Sequence, residues 1–143
     1  MRMTALSNDD LEPLRHALTL AGLPVDDLDY PGRQFFSFSQ AGFDVAFAGI
    51  EGEGTDRLLR SLVVFEGQRG RGTGAAVLGA LEVFAKSEGV ERLHLLTDSA
   101  AAFFIAQGYQ EQDRSLAPAS ISATAQFKTL CPASATYLSK SLA

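Results

Sequence analysis

The stretch from Leu58 to Lys86 limits the fold more than any other part of the chain. Leu58–Phe65 is apolar except for Arg60 and Ser61 and reads as a strand. The densest glycine cluster follows, Glu66-Gly67-Gln68-Arg69-Gly70-Arg71-Gly72-Thr73-Gly74. Ala75–Lys86 then places Val77, Leu81 and Phe84 at helical spacing, with Glu82 four residues before Lys86. A strand that passes through such a loop into a helix points several backbone N–H groups one way, beside the positive end of the helix dipole. Glycine lets a phosphate come close to the backbone, and Arg69 and Arg71 add charge. The segment therefore reads as a phosphate or pyrophosphate cradle, with a plain glycine-rich turn as the competing reading. It is not a P-loop, because no Gly-Lys-Ser/Thr ends it, and a dinucleotide fingerprint would follow the first strand rather than the fourth.

The flanking pattern supplies the rest of the order. Thr4–Leu6 is a short strand, and Ser7 caps a helix carrying Leu11, Leu14, Leu18 and Ala21, stopped by Gly22. Leu23 to Gly32 reads as a short helix or turns. Phe35–Gln40 and Phe43–Ile50 form a hairpin about Ala41-Gly42. Beyond the glycine loop and its helix come a strand Val90–Thr97, a helix Ala100–Gln107 and a strand Tyr109–Arg114. Pro118 opens a helix to about Lys128, Pro132 breaks it, and Ala135–Leu142 is a weak last strand. The expected class is α/β (α+β) with a mixed sheet, in one domain spanning 1–143.

Composition removes several functions. Twelve basic against 17 acidic residues give −5, and residues 1–65 hold most of the excess acid. No basic stripe offers itself to nucleic acid, whose affinity rests on phosphate neutralisation. Lone Cys131 with distant His16 and His94 makes neither a disulfide nor a metal signature. Apolar runs fall short of a membrane span. Met1-Arg2-Met3-Thr4 leads into acidic sequence, unlike a signal peptide, so a cytoplasmic address is expected.

Arg69, Gly72 and Gly74 in the order Arg-x-x-Gly-x-Gly, after Leu62-Val63-Val64, resemble the pyrophosphate loop of the GNAT superfamily of acetyl-CoA-dependent N-acyltransferases. Ala100, Phe103-Phe104 and Gly108-Tyr109 are similar to a second superfamily segment. Leu59-Arg60-Ser61-Leu62, Leu95-Leu96-Thr97, Arg114 and the tail from Ala117-Pro118 to Ser134-Ala135 resemble the narrower arsenic-resistance-associated N-acetyltransferases of bacteria. The resemblance implies a mostly antiparallel sheet splayed between strands 4 and 5, and acetyl-CoA as cosubstrate without a metal. It implies a small-molecule primary amine as acceptor, an arsenic-containing amino acid among the candidates. Another amino acid, an amine or a protein N-terminus is the alternative acceptor, and a homodimer is compatible with it. It also implies a cofactor site of Leu62, Val63, Val64, Arg69, Gly70, Arg71, Gly72, Thr73, Gly74 and Phe104.

Phe104 falls where many members carry a tyrosine that protonates the departing thiolate, so water, Tyr109 or Ser99 would have to do so, or no dedicated acid exists. That departure keeps open a non-catalytic CoA-binding sensor. Glu51, at the end of the third strand, is a candidate base for the incoming ammonium, and Ser61 a second candidate catalytic group. Arg60, on the opposite strand face from Ser61, is a clamp for a substrate oxyanion or half of a salt bridge. Arg33 and Arg114 are further clamp candidates.

Overall fold

The computed structural model describes residues 1–131 and 133–143, so the expected helix break at Pro132 lies outside the described residues. The chain forms β1 (Arg2–Ala5), α1 (Leu11–Leu20), β2 (Arg33–Gln40), β3 (Phe43–Glu51), β4 (Asp56–Val64), α2 (Thr73–Ser87), β5 (Arg92–Thr97), α3 (Ala101–Ala106), β6 (Gln110–Gln112), α4 (Ala119–Ser122) and β7 (Thr136–Ser141). The strands make one seven-stranded sheet in the order β1-β2-β3-β4-β5-β7-β6. Every neighbouring pair is antiparallel except β4 and β5, which α2 joins as a parallel crossover. No helix among the described residues is long and apolar enough to cross a membrane.

The two sheet faces bury different helices. Leu11, Leu14 and Leu18, spaced for one helix face, seat α1 on Phe35, Phe47 and Val63. Val77, Leu78, Leu81 and Ala85 seat α2 on the other face, over Phe36, Val45, Leu59 and Leu93. α1 ends where Leu23 N–H reaches back to the Leu18 carbonyl. Leu23 to Gly32 forms turns and loop without a helix.

The tail departs most from expectation. In place of one helix, α4 ends at Ser122 and a single π turn, Gln126–Leu130, follows. Local hydroxyls explain the interruption. Thr124 Oγ1 donates to the Ile121 carbonyl at 2.7 Å and accepts from Phe127 N–H at 3.4 Å, competing with helical pairing at the break. Arg114 ties this segment down by donating to the Phe127 and Ala133 carbonyls and stacking on Phe127. The last strands are shorter than the pattern implied: β6 covers only Gln110–Gln112.

Candidate active site

β4 and β5 pair only from Asp56–Arg92 to Leu58–His94. Beyond Leu58, β4 stays with β3, while β5 follows β7 as far as Thr97–Thr136. The strands diverge, and a cleft of about 690 Å³ opens between them. Leu59 to Val64 and Leu95 to Ala100 form its sides, Arg69 and Phe104 stand along it, and Ala21–Pro24, Asp26, Leu130, Cys131 and Ala135 close its other end.

The β4 wall is not a regular strand. Phe47 faces Val63 but Gly49 faces Arg60, so Ser61 and Leu62 together oppose Ala48 in a β-bulge. Ser61 takes the left-handed conformation, φ 61°. The extra residue reverses the alternation. Leu59 packs on the α2 face, and past the bulge Leu62 and Val64 do so while Val63 turns to α1. A side chain at that φ is strained, a β-branched one most. Ser61→Val should therefore be less stable than Ser61→Gly by on the order of 1–3 kcal/mol in urea denaturation, both variants lacking the hydroxyl.

The glycine loop ends at Gly72, which takes φ 75° as the residue capping α2. No side chain caps this helix, so its first amides stay open to a ligand. A Cβ on Gly72 would meet nothing within 4 Å. A Cβ on Gly74 would lie 3.2 Å from the Phe103 ring and 3.7 Å from Val64, so this glycine lets α2 and α3 approach each other. Arg69 Nε donates to the Val64 carbonyl, folding the loop back over the end of β4. Of the loop residues only Arg69 lines the cleft itself, and Arg71 is exposed.

Beneath the bulge lies a buried ion cluster. Arg60 is fully buried and meets Asp27 through two 2.7 Å hydrogen bonds, from Nη1 to Oδ2 and from Nη2 to Oδ1. Its Nη1 also donates to Glu51 Oε1 at 2.7 Å, and its Nε to Ser61 Oγ at 3.3 Å. Arg33 Nη2 adds contacts of 2.8 Å to Asp27 and 3.3 Å to Glu51. Burial opposes the charge on Asp27, but hydrogen bonds and attraction from Arg60 and Arg33 hold its carboxyl below the usual range. Two cations and two anions cancel. Arg60 is thus the ion-pair partner that its strand position allowed, with its guanidinium turned to carboxylates rather than presented as a clamp. Arg33 serves the same cluster, and Arg114 is engaged with the tail.

Glu51 joins Arg60 and Arg33 but lines a separate pocket of about 240 Å³ with Pro31, Ser120 and Thr124, not the cleft. A base for the cleft was expected there, but the paired guanidiniums hold it away. Asp27 was not singled out in the sequence. The one available signal was Arg60 itself, since an arginine inside an apolar strand requires a carboxylate from somewhere.

Tyr109 is not a cleft acid either. It is buried against Phe104, and its hydroxyl donates to Glu82 Oε2 at 2.9 Å. Burial first, and then Glu82, push its pKa far above the usual value. Phe104 lines the cleft, packed edge-on against Phe103 and Tyr109. Cys131 lines it too, and burial with nearby Asp98 pushes the thiol up, so it stays protonated at neutral pH.

His94 bridges Asp56 Oδ1 and the Tyr137 hydroxyl at 2.7 Å each. The carboxylate can only accept, so Nε2–H donates to Asp56 and Tyr137 donates to Nδ1. Burial lowers the His94 pKa below 6.5 despite the pull of Asp56. A neutral imidazole in the fold means that the unfolded chain takes up the proton first. Stability is full above pH ~6.5 and should decline as pH falls through it. Urea midpoints at pH 7.5 and 5.5 should show this drop in the wild type and a smaller one in His94→Gln.

Residues 10–109 match the model of the Acetyltransferase (GNAT) family. The mouse protein N-alpha-acetyltransferase 80 is 42% identical over 53 residues, which cover 37% of this chain and 17% of that protein. The chain therefore spans about a sixth of that curated relative. An acetyltransferase of the GNAT family from Staphylococcus aureus superposes with a TM-score of 0.76 at 17% identity, covering 99% of both chains. The N-acetylglutamate synthase of Neisseria gonorrhoeae, solved with coenzyme A and N-acetyl-glutamate, superposes with a TM-score of 0.75 at 17% identity, over 100% of this chain and 36% of that one.

Proposed function

Because the chain belongs to the acetyltransferase (GNAT) family, we propose that it transfers an acetyl group from acetyl-CoA to the primary amine of a small molecule within a ternary complex. The observation that carries this reading is the splay of β4 from β5, which leaves one backbone edge of Leu62–Val64 without a strand partner beside the open amides of α2. Acetyl-CoA fits that arrangement as a substrate. Its pantetheine amides would pair with Leu62–Val64, and its pyrophosphate would sit on the loop Arg69–Gly74. A main-chain N–H of the bulged strand would polarise the thioester carbonyl. The amine nitrogen then bonds to the carbonyl carbon, the C–S bond breaks, and coenzyme A leaves as thiolate.

Ser61 is the group we assign to the leaving sulfur. Its oxygen accepts from Arg60 Nε, which leaves its own O–H for the cleft that it lines. Phe104 packs the acyl end. We assign no proton transfer to Glu51; the ammonium proton goes to water in the open cleft. A cytoplasmic site of action belongs to the same reading. The finer acceptor reading, an arsenic-containing amino acid, draws on the tail sequence.

Thiol release from acetyl-CoA with a panel of amines, arsenical and phosphorus-containing amino acids included, tests the function. At least one amine should raise release well above the hydrolysis blank. No stimulation by any amine, with acetyl-CoA still bound, would make the chain a binding domain instead.

A further inference from the structure

The buried ion cluster reaches the cleft through a single side-chain bond. Arg60 directs Nη1 and Nη2 to Asp27 and Glu51, while its Nε–H donates to Ser61 Oγ at 3.3 Å. The Asp27 and Arg60 side chains are buried, and Ser61 lines the cleft. Among the described residues Arg60 is the only protein group bonded to that hydroxyl. The guanidinium plane is fixed. Asp27 grips it with two parallel bonds, Glu51 takes a further bond from Nη1, and the Phe35 ring centre lies 5.6 Å from its carbon. Gly49 pairs with Arg60 across the strands, and a Cβ on it would stand 2.5 Å from the Phe35 ring, so glycine there admits the ring. Stability selects neither the cluster nor the serine. Apolar replacements of buried ion pairs are often neutral or stabilising. Glycine would hold the positive φ of Ser61 with less strain. Both features are accounted for if the direction of the Ser61 hydroxyl matters.

We propose that Asp27 and Arg60 are positioning residues for acetyl transfer, holding the Ser61 hydroxyl so that it donates to the departing sulfur of coenzyme A. The inference rests on the acetyl-transfer reading above and adds the residues behind the serine. Because Ser61 Oγ accepts from Arg60 Nε, its own hydrogen is directed elsewhere, and the cleft is the open side. An oxygen that receives a charge-assisted bond also becomes a better donor. As the amine nitrogen bonds to the carbonyl carbon, the C–S electron pair moves to sulfur. The hydrogen bond from Ser61 meets that new negative charge. The serine proton stays on oxygen, because an alcohol is a weaker acid than a thiol, and the thiolate takes its proton from water. Asp27 touches neither substrate nor sulfur. With Glu51 it keeps Arg60 fixed and neutralised, so the guanidinium does not swing away from Ser61.

Two variants separate positioning from stability. Asp27→Leu/Arg60→Met leaves Arg33 paired with Glu51 and buries no lone charge. Arg60→Lys keeps the charge of the cluster and removes the Nε–H beside Ser61. With the amine that the thiol-release panel identifies, each should slow acetyl transfer in single turnovers by about three- to tenfold, with acetyl-CoA affinity unchanged. Ser61→Gly, which suits the observed φ, should slow it by about tenfold or more, as for a lost hydrogen bond to a charged atom. Adding Ser61→Gly to the double variant should cost nothing beyond Ser61→Gly alone, because Asp27 and Arg60 act through that hydroxyl. A second readout needs no turnover. Ultraviolet absorbance of the thiolate in the coenzyme A complex, with the protein alone as blank, gives the pKa of the bound thiol. It should rise by about one unit in Ser61→Gly, and by less in both Arg60 variants. Those rises in a protein that acetylates no amine would overturn the transferase reading and leave the placement of the serine standing. Wild-type transfer rate and thiol pKa in either Arg60 variant, or a triple variant slower than Ser61→Gly, would overturn the proposal.

Discussion

Gly72→Asp should lose most of the thermal stabilisation that acetyl-CoA gives the wild type, while remaining folded. The fold tolerates a side chain there sterically, because a Cβ on Gly72 has open space around it. The backbone cost is moderate, since aspartate is among the residues that enter the left-handed region most readily. The added carboxylate, however, stands at the capping residue of α2, where the pyrophosphate would bring its own negative charge. Gly72→Ala separates the two effects. It carries a similar backbone strain without charge and should keep most of the affinity. Ligand at a hundred times its Kd stabilises by about 2.7 kcal/mol, so the wild-type shift in Tm will be several degrees. An equal shift in Gly72→Asp would remove the loop from the binding site.

Asp27→Asn should be the most damaging single substitution in the ion cluster. It leaves Arg60 and Arg33 with one carboxylate between them in a buried setting. Breaking one side of a buried ion pair costs about 3–5 kcal/mol, a large share of a typical domain's stability. For a chain of this size Tm should fall by roughly 10 °C or more. The double variant Asp27→Leu/Arg60→Met retains the neutral Arg33–Glu51 pair and should recover much of the loss, so the two substitutions will be strongly non-additive. The acid limb follows in sign. Because Asp27 titrates below its ordinary value in the fold, its stabilisation is complete above about pH 4 and is lost as pH falls through the lowered pKa. Asp27→Asn should lack that part of the acid transition.

What the sequence made legible was local backbone chemistry. Gly67, Gly70 and Gly72 all take positive φ, and the loop they form was visible because glycine marks such positions whatever surrounds them. The strands and the order of elements were legible for a similar reason, since periodicity reflects burial directly. The bulge at Ser61 was not, because serine takes the role that glycine usually announces. Arg60 could be seen to need a partner, but Asp27 lies 33 residues away in a loop without periodicity. Glu51 shows the opposite failure. Its strand end was read correctly, but which pocket its carboxylate faces depends on two arginines that only tertiary structure brings together. In the tail, helix-favouring spacing was overruled by the Thr124 hydroxyl.

The narrow β4–β5 seam has a mechanical consequence. The N-terminus lies next to β1 at one edge of the sheet, and the C-terminus follows β7 on the far side of the seam. Tension applied between the two ends must therefore cross a join of three residue pairs, Asp56–Arg92 to Leu58–His94, in the weaker parallel geometry. The antiparallel ladders on either side are longer, running to eight pairs between β2 and β3 and six between β5 and β7. In a pulling experiment the molecule should yield first along that join, as two intact half-sheets. A ligand bonded to both banks of the wedge would act as a strut, raising the rupture force without altering either half.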